Sequence, residues 1–417
     1  MKNRNPLFVI LFTVFLDMLG IGILIPVIPV LLADPASPSY ILPAGMSIKT
    51  GYIILGLLIA TFPLMVFLAA PILGQLSDRF GRRKILVISL AGTCVGYVIF
   101  AIAVMTRNIP LLFLSRALDG ITGGNISVAQ AVIADITPPE KRSRTFGLIG
   151  AAFGLGFIIG PFLGGVLADP KIVSWFTAAT PFWFAAGLSL LNMILLIILL
   201  PETHTPAKDA AVEMNKSIKN IMRAFSHVDL RIIFAAAFLF QAGFAFYITF
   251  FSVFLIDRFG ATPGQIGLYF AYVGIWIVIA QVLITRKLNN HFREDQVLKI
   301  SILAMGVVIS FYIFITHWWE LLFFAPMLAI SNGVTQANIP GLISRSSGKE
   351  VQGQVLGLNT SVQALAQSIP PVLSGIIAAL LTPEMPLVVS GATIILAGLF
   401  FIFMYKAPST VQTPQKV

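Results

Sequence analysis

The chain has 417 residues, 57% of them hydrophobic and only 11% charged, with a formal net charge of +10 and a mean hydropathy of +0.93. A soluble domain carries about a quarter charged residues, so this balance describes an integral membrane protein and excludes a water-soluble globular one. The single cysteine, Cys94, lies in an apolar run and cannot form an internal disulfide, and no Cys/His cluster offers a metal site.

A helix needs about 20 apolar residues to cross about 30 Å of hydrocarbon. In chain order, runs of that length cover 7–32, 49–73, 85–106, 110–134, 146–168 and 178–200, then 231–256, 264–284, 297–316, 318–340, 354–381 and 387–405. The expected fold is an all-α integral membrane protein of twelve transmembrane helices, arranged as two six-helix bundles. The bundles cover 1–200 and 230–406, joined by a linker at 201–229 and followed by a disordered tail at 407–417. The first run is too long for a signal-peptide core and lacks a small-residue cleavage site, so it reads as a retained helix. It carries Asp17, about 15 Å in from its N-terminal end, and Pro26 as a bend. The loop after the second run, "GQLSDRFGRRK" (74–84), concentrates charge around Gly74 and Gly81.

The fourth run contains "LSRALDGITGGN" (114–125), which places Arg116 and Asp119 inside the apolar stretch. Counted from the opposite face, Asp119 lies about 13 Å down and Arg116 about 9 Å. Charge at such depth costs at least about 2.5–3.5 kcal/mol and needs pairing, hydration or neutralisation. Burial favours the protonated carboxylic acid and a neighbouring arginine favours the carboxylate, while arginine itself stays charged. Such a set can load and release a proton. The structural alternatives are a helix-bridging Asp17 and a permanent Arg116/Asp119 pair. The fifth run holds "GLGFIIGPFLGG" (154–165), whose small residues suit close packing and whose proline suits a bend.

In the linker, Ile218, Ile221, Met222 and Phe225 fall at helical spacing, fitting either a short amphipathic helix on the membrane surface or a plain connection. The seventh run is dense in rings around Gln241, including Tyr247. The tenth carries Asn332, Gln336 and Asn338, and the eleventh a stripe of Asn359, Gln363 and Gln367. With Asn125, these amides and aromatics suit a mostly apolar, partly polar organic compound. The alternative is interhelical hydrogen bonding with lipid-facing phenylalanines. The loop "TRKLNNHFRED" (285–295) does not repeat the 74–84 pattern.

With the N-terminus placed in the cytoplasm, 22 of the 27 Lys and Arg fall in cytoplasmic segments, against Lys49, Arg107, Lys171 and Arg258 on the other side and Arg116 within a span. This positive-inside split puts both termini in the cytoplasm and accounts for the net charge without nucleic acid. The two halves also repeat. At an offset of 210 residues Gly123 falls on Gly333, Gly147 on Gly357, Pro161 on Pro371 and Gly165 on Gly375. Parallel repeats of this kind put a substrate site near the midplane at the repeat interface. No phosphate-binding Gly-rich loop with lysine is present, so ATP-driven export and enzyme chemistry are not expected. The outer loops hold no Asn-x-Ser/Thr acceptor, which fits a bacterial inner membrane.

The 74–84 loop resembles the signature loop of the major facilitator superfamily, through Gly74, Asp78, Arg79, Gly81, Arg82 and Arg83. The stretch 154–165 is similar to the fifth-helix motif of its antiporters, through Gly154, Gly160, Pro161, Gly164 and Gly165. Residues 111–124 resemble the fourth-helix motif through Arg116 and Gly120, and 15–34 resemble the first helix of the twelve-span, tetracycline-exporter-like drug:proton antiporters. The resemblance implies a secondary active transporter that exports small amphipathic compounds by alternating access. Asp17, Arg116 and Asp119 would couple protons, and a cytoplasmic gate would form around 74–84 with Arg142. It implies no cofactor beyond the proton gradient; its partners would be a small-molecule substrate, protons and the lipid bilayer, and a monomer is expected. Tetracycline exporters carry further aspartates in helices three and nine; 90–103 and 300–315 hold none, so tetracycline itself is not carried over. The alternatives are a metabolite or lipid carrier, running as a symporter or uniporter, and a non-transporting membrane sensor or scaffold.

Overall fold

In the computed structural model the described residues are 6–137, 142–204, 212–213, 215–226, 230–346 and 352–406, and they are almost wholly helical. The tail expected at 407–417 lies outside them. Among the described residues nine helices are long and apolar enough to cross a membrane. The remaining three runs are helical too. The run at 110–134 is two helices, the one at 146–168 lies within Arg142–Ala168, and the one at 318–340 lies within Trp318–Arg345. The last of these carries Ser331, Asn332, Thr335, Gln336 and Asn338 in its middle, which lowers its hydropathy.

The chain divides into two compact units. The first is Met1–Ser217 with Ala261–Ala271, and the second is Ile218–Gly260 with Tyr272–Val417. In the first unit, α1 (Pro6–Leu32) packs along α6 (Arg142–Ala168), and α2 (Ile48–Phe80), α3 (Arg82–Met105), α4 (Ile109–Thr122), α5 (Asn125–Ile136) and α7 (Thr180–Leu199) complete the set. The α1–α6 seam is set by missing side chains. A Cβ on Gly160 would lie 2.6 Å from the Leu19 carbonyl oxygen and 2.8 Å from the Gly22 Cα, so the backbones touch there. Gly164 meets Ile23 in the same way, and Pro26 and Pro161 lie inside their helices. The next residue of α6, Gly165, lies against Gly267. The first turns of α10 (Pro263–Ile279) fall within the first unit.

The second unit is built from α8 (Lys216–Ser226) after its first two residues, α9 (Arg231–Phe259), the rest of α10, α11 (Thr285–His291), α12 (Glu294–Phe311), α13 (Trp318–Arg345), α14 (Gln352–Leu380) and α15 (Met385–Met404). α9 is its most buried helix, packing on α14 and α15. Phe234, Phe240, Phe250, Phe251 and Phe254 are all fully buried, so these α9 rings face the protein and not lipid. Between α10 and α11, Ala280–Ile284 forms a π-helical turn, with Thr285 Oγ1 donating to the Ala280 carbonyl at 2.9 Å. A Cβ on Gly333 would come 2.9 Å from the Ala280 Cβ, so the wide turn presses on a glycine of α13.

Candidate functional site

The local sequence "ITGGN" breaks the fourth run just where its charges end. Gly123 and Gly124 separate α4 from α5, and the Gly123 N–H donates to the Asp119 carbonyl at 2.6 Å. The break is held against α2. A Cβ on Gly124 would lie 2.7 Å from the Ala70 Cα, and Ser127 Oγ donates to the Ala70 carbonyl at 3.1 Å. Helix approach therefore centres on Gly124, while Gly74, one turn further along α2, has Ser127 Oγ only 3.9 Å from its would-be Cβ. Gly120 likewise lets α4 lie against Phe62 and Met65 of α2.

Two polar pairs flank this break. Arg116 Nη1 meets Asp119 Oδ2 at 2.7 Å, with Arg116 4% and Asp119 3% exposed. The Arg116 guanidinium also stands 4.5 Å from the centroid of the Phe62 ring. On the other side, Asn125, the first residue of α5 and fully buried, donates from Nδ2 to Asp17 Oδ1 at 3.3 Å. Asp17 Oδ2 and Asn125 Oδ1 are buried with no hydrogen-bond partner. A buried acceptor left bare costs about 1–3 kcal/mol, so this pair is under-satisfied, whereas Arg116 and Asp119 neutralise one another.

Sequence reading missed the floor of this site. Asp17 lines a small cavity with Thr93, Tyr97, Ser189 and Asn192, whose free volume of about 10 Å³ is room for about one water. The Tyr97 hydroxyl occupies the space where a side chain on Gly20 would lie. Gly96 leaves room for Asp119, with a would-be Cβ 3.3 Å from the Asp119 Cβ. Asn192 Nδ2 donates to Thr13 Oγ1 at 3.1 Å. Gly20, opposite Tyr97, is the residue through which the sequence could have pointed to it.

The charged loop forms a second site within the first unit. Gly81 has φ 102°, a conformation open to glycine, and lets α2 turn straight into α3. Arg82 Nη1 meets Asp78 Oδ1 at 2.6 Å, and Arg82 Nε meets Asp135 Oδ2 at 3.2 Å. The carboxylate of Glu202 accepts from the Arg82 N–H at 2.8 Å and the Arg83 N–H at 3.2 Å, capping α3. Arg83 also donates to the Ile197 carbonyl, and Arg79 lies against the Phe80 ring. Asp135 and Glu202 went unread as partners because they lie 53 and 120 residues from Arg82. Arg142 begins α6, and its side chain lies outside the described residues.

In the second unit Gln336 Nε2 donates to Gln241 Oε1 at 3.4 Å. Tyr247 stacks on Phe251 at 4.7 Å between ring centroids and meets Tyr312 edge-on at 6.0 Å. Asn332 and Asn359 are buried, each with an amide oxygen that has no partner. Asn338 accepts from Asn289 Nδ2 at 2.8 Å, which ties it to α11. Gln363 lies one turn beyond Asn359 on α14 and is partly buried. The second unit also holds an ion pair that the sequence hid: Arg345 Nη2 meets Glu294 Oε1 at 3.1 Å. Arg345 is the residue 210 positions after Asp135, and their partners Arg82 and Glu294, 212 positions apart, are the first residues of α3 and α12, so the two pairs correspond to within two residues with their charges exchanged.

Comparison with known proteins adds the family. The family model described as Major Facilitator Superfamily matches residues 10–369 and 233–417. The chain is 33% identical over 374 residues to the class C tetracycline resistance protein of Escherichia coli, covering 89% of each chain. It is 27% identical over 373 residues to the quinolone resistance protein NorA of Staphylococcus aureus, again covering 89% of each. Among solved structures, the human organic anion transporter MFSD10 aligns with a TM-score of 0.70 at 22% identity, over 96% of this chain and 100% of that one. A D-xylose–proton symporter aligns at 0.74 and 16% identity, over 95% and 97%. These two likenesses concern the fold.

Proposed function

The chain belongs to the major facilitator superfamily, and from that premise we propose that it is a proton-driven exporter of small amphipathic organic compounds, of the drug:proton antiporter type. It works by alternating access as a monomer in a bacterial inner membrane, with twelve spans and both termini cytoplasmic. Relatives named for tetracycline and for quinolone resistance support a broad amphipathic substrate class over a single compound.

One observation carries the proton-coupling role: Asp17 presents a bare buried oxygen beside Asn125, across a helix break from the neutralised Arg116–Asp119 pair. A proton placed on Oδ2 of Asp17 supplies a donor without displacing any existing hydrogen bond. Arg116 keeps its charge throughout the cycle, so its part is to divide itself between carboxylates. The break at Gly123–Gly124 lets α4 and α5 shift against each other, and that shift hands Arg116 from Asp119 toward Asp17 when Asp17 is bare. Asn125 in the first unit and Gln241, Tyr247, Asn332, Gln336, Asn359 and Gln363 in the second are assigned to the substrate. The unpartnered amide oxygens of Asn332 and Asn359 suit donor groups on it. The Asp78–Arg82–Asp135 cluster, capped by Glu202, is assigned to the cytoplasmic gate, with Arg79, Arg83 and Arg142 beside it.

The test uses inside-out vesicles carrying the protein and a fluorescent amphipathic dye. Uptake should follow an imposed gradient with the vesicle interior acid, and stop when an uncoupler collapses it. Uptake that survives collapse would indicate a carrier without proton coupling. Binding without uptake would indicate a sensor, and either result overturns the reading.

A further inference from the structure

Helix α8 is turned the opposite way from a helix that packs on a core. Ser217 and Ala224 are buried, whereas Ile218, Met222 and Phe225 are 56%, 61% and 39% exposed. A helix docked on a globular core buries its large apolar stripe. Here the small residues face the protein and the large apolar ones face away from it. The next stripe round the helix holds Lys216, Lys219 and Arg223, and α8 contains no acidic residue.

The connection to α2 fixes where this helix starts. Ser217 Oγ donates to the Leu68 carbonyl at 3.4 Å. Just before it, the Glu213 N–H donates to Gln75 Oε1 at 2.8 Å, and Gln75 Nε2 donates to the Glu213 carbonyl at 3.3 Å. Leu68 lies within the last turns of the apolar run 49–73 of α2, and Gln75 lies just past its end. The chain therefore passes from the polar end of α2 back alongside its apolar run, and α8 starts level with the last turns of that run.

We propose that α8 is a binding site for anionic phospholipid of the leaflet on this side of the membrane. Ile218, Met222 and Phe225 insert at the acyl boundary, and Lys216, Lys219 and Arg223 hold the lipid phosphates. Charge complementarity and depth select a lipid surface over a protein partner, because this face meets the bilayer before any soluble protein can reach it. The assignment is independent of what the protein transports.

Two measurements on the full chain test it. In liposomes containing phosphatidylglycerol, a nitroxide on Met222→Cys in a Cys94→Ser background should be relaxed by oxygen and shielded from a water-soluble nickel chelate. A label more open to the chelate than to oxygen would overturn the proposal. In detergent solution with the native charges replaced, Lys216→Gln/Lys219→Gln/Arg223→Gln should bind phosphatidylglycerol about a hundredfold more weakly. About fivefold is expected per residue, corresponding to about 1 kcal/mol for each basic group near the surface. Phosphatidylcholine binding should not change. Unchanged phosphatidylglycerol binding, or an equal loss of both lipids, would overturn it.

Discussion

Asp119 holds the buried guanidinium of Arg116 at 2.7 Å, and neither is more than a few per cent exposed. Asp119→Asn leaves that charge uncompensated, which costs about 3–5 kcal/mol, so its thermal midpoint in detergent should fall well below that of the parent. Replacing both partners with apolar residues, Arg116→Met with Asp119→Leu, should recover most of that stability, yet transport should remain lost. A double variant that still transports would leave the pair a structural role only. These residues were legible in the sequence because charge is rare in apolar runs and a depth can be counted from the helix rise. Tyr97 and Asn192 were not, because a buried tyrosine or asparagine among so many apolar residues has no mark of its own. What distinguishes them is a neighbour in space: the missing side chain of Gly20 and the hydroxyl of Thr13.

Element boundaries carry the second level of the account. The α1–α6 seam depends on backbone contact at Gly160, where a Cβ would lie 2.6 Å from the Leu19 carbonyl oxygen. Gly160→Leu should force the helices apart at a cost of about 1–3 kcal/mol or more, read as lost thermal stability, whereas a leucine at Gly187, which has open space around it, should be tolerated. The Glu294–Arg345 pair predicts a charge-swap result. Glu294→Arg and Arg345→Glu should each slow transport, and the two together should restore it; a double variant as slow as the singles would deny the pair any role. This pair is largely exposed on the arginine side, so its effect on stability should stay below about 1 kcal/mol. The seam was readable from "GLGFIIGPFLGG", since a row of glycines in an apolar helix has few other uses. The α4–α5 break was written in "TGGN", but a mostly apolar stretch long enough to cross a bilayer outweighed two glycines. The π-helical turn at Ala280–Ile284 has no comparable signature, because it answers to Gly333 on another helix.

At the scale of the whole chain, two units that share one order of helices have diverged in chemistry. The ionisable groups at span depth, Asp17, Arg116 and Asp119, lie in the first unit, while the second offers amides and a block of stacked rings. The repeat survives in an unexpected place, with Asp135 and Arg345 at equivalent positions facing opposite partners, Arg82 and Glu294. Reading "TRKLNNHFRED" for the 74–84 pattern missed it, since a pair with exchanged charges preserves the geometry and erases the letters. The attachment of Gly267 to Gly165 was not visible in the sequence, because it depends on which glycines face one another. The most direct test of proton coupling compares the parent with Asp17→Asn in inside-out vesicles, following both dye uptake against a pH gradient and gradient-independent exchange of dye between the two sides. The account predicts that the variant still exchanges dye but no longer accumulates it, and releases no protons when dye is added to acid-loaded vesicles. Full accumulation by Asp17→Asn, with undiminished proton release, would contradict it.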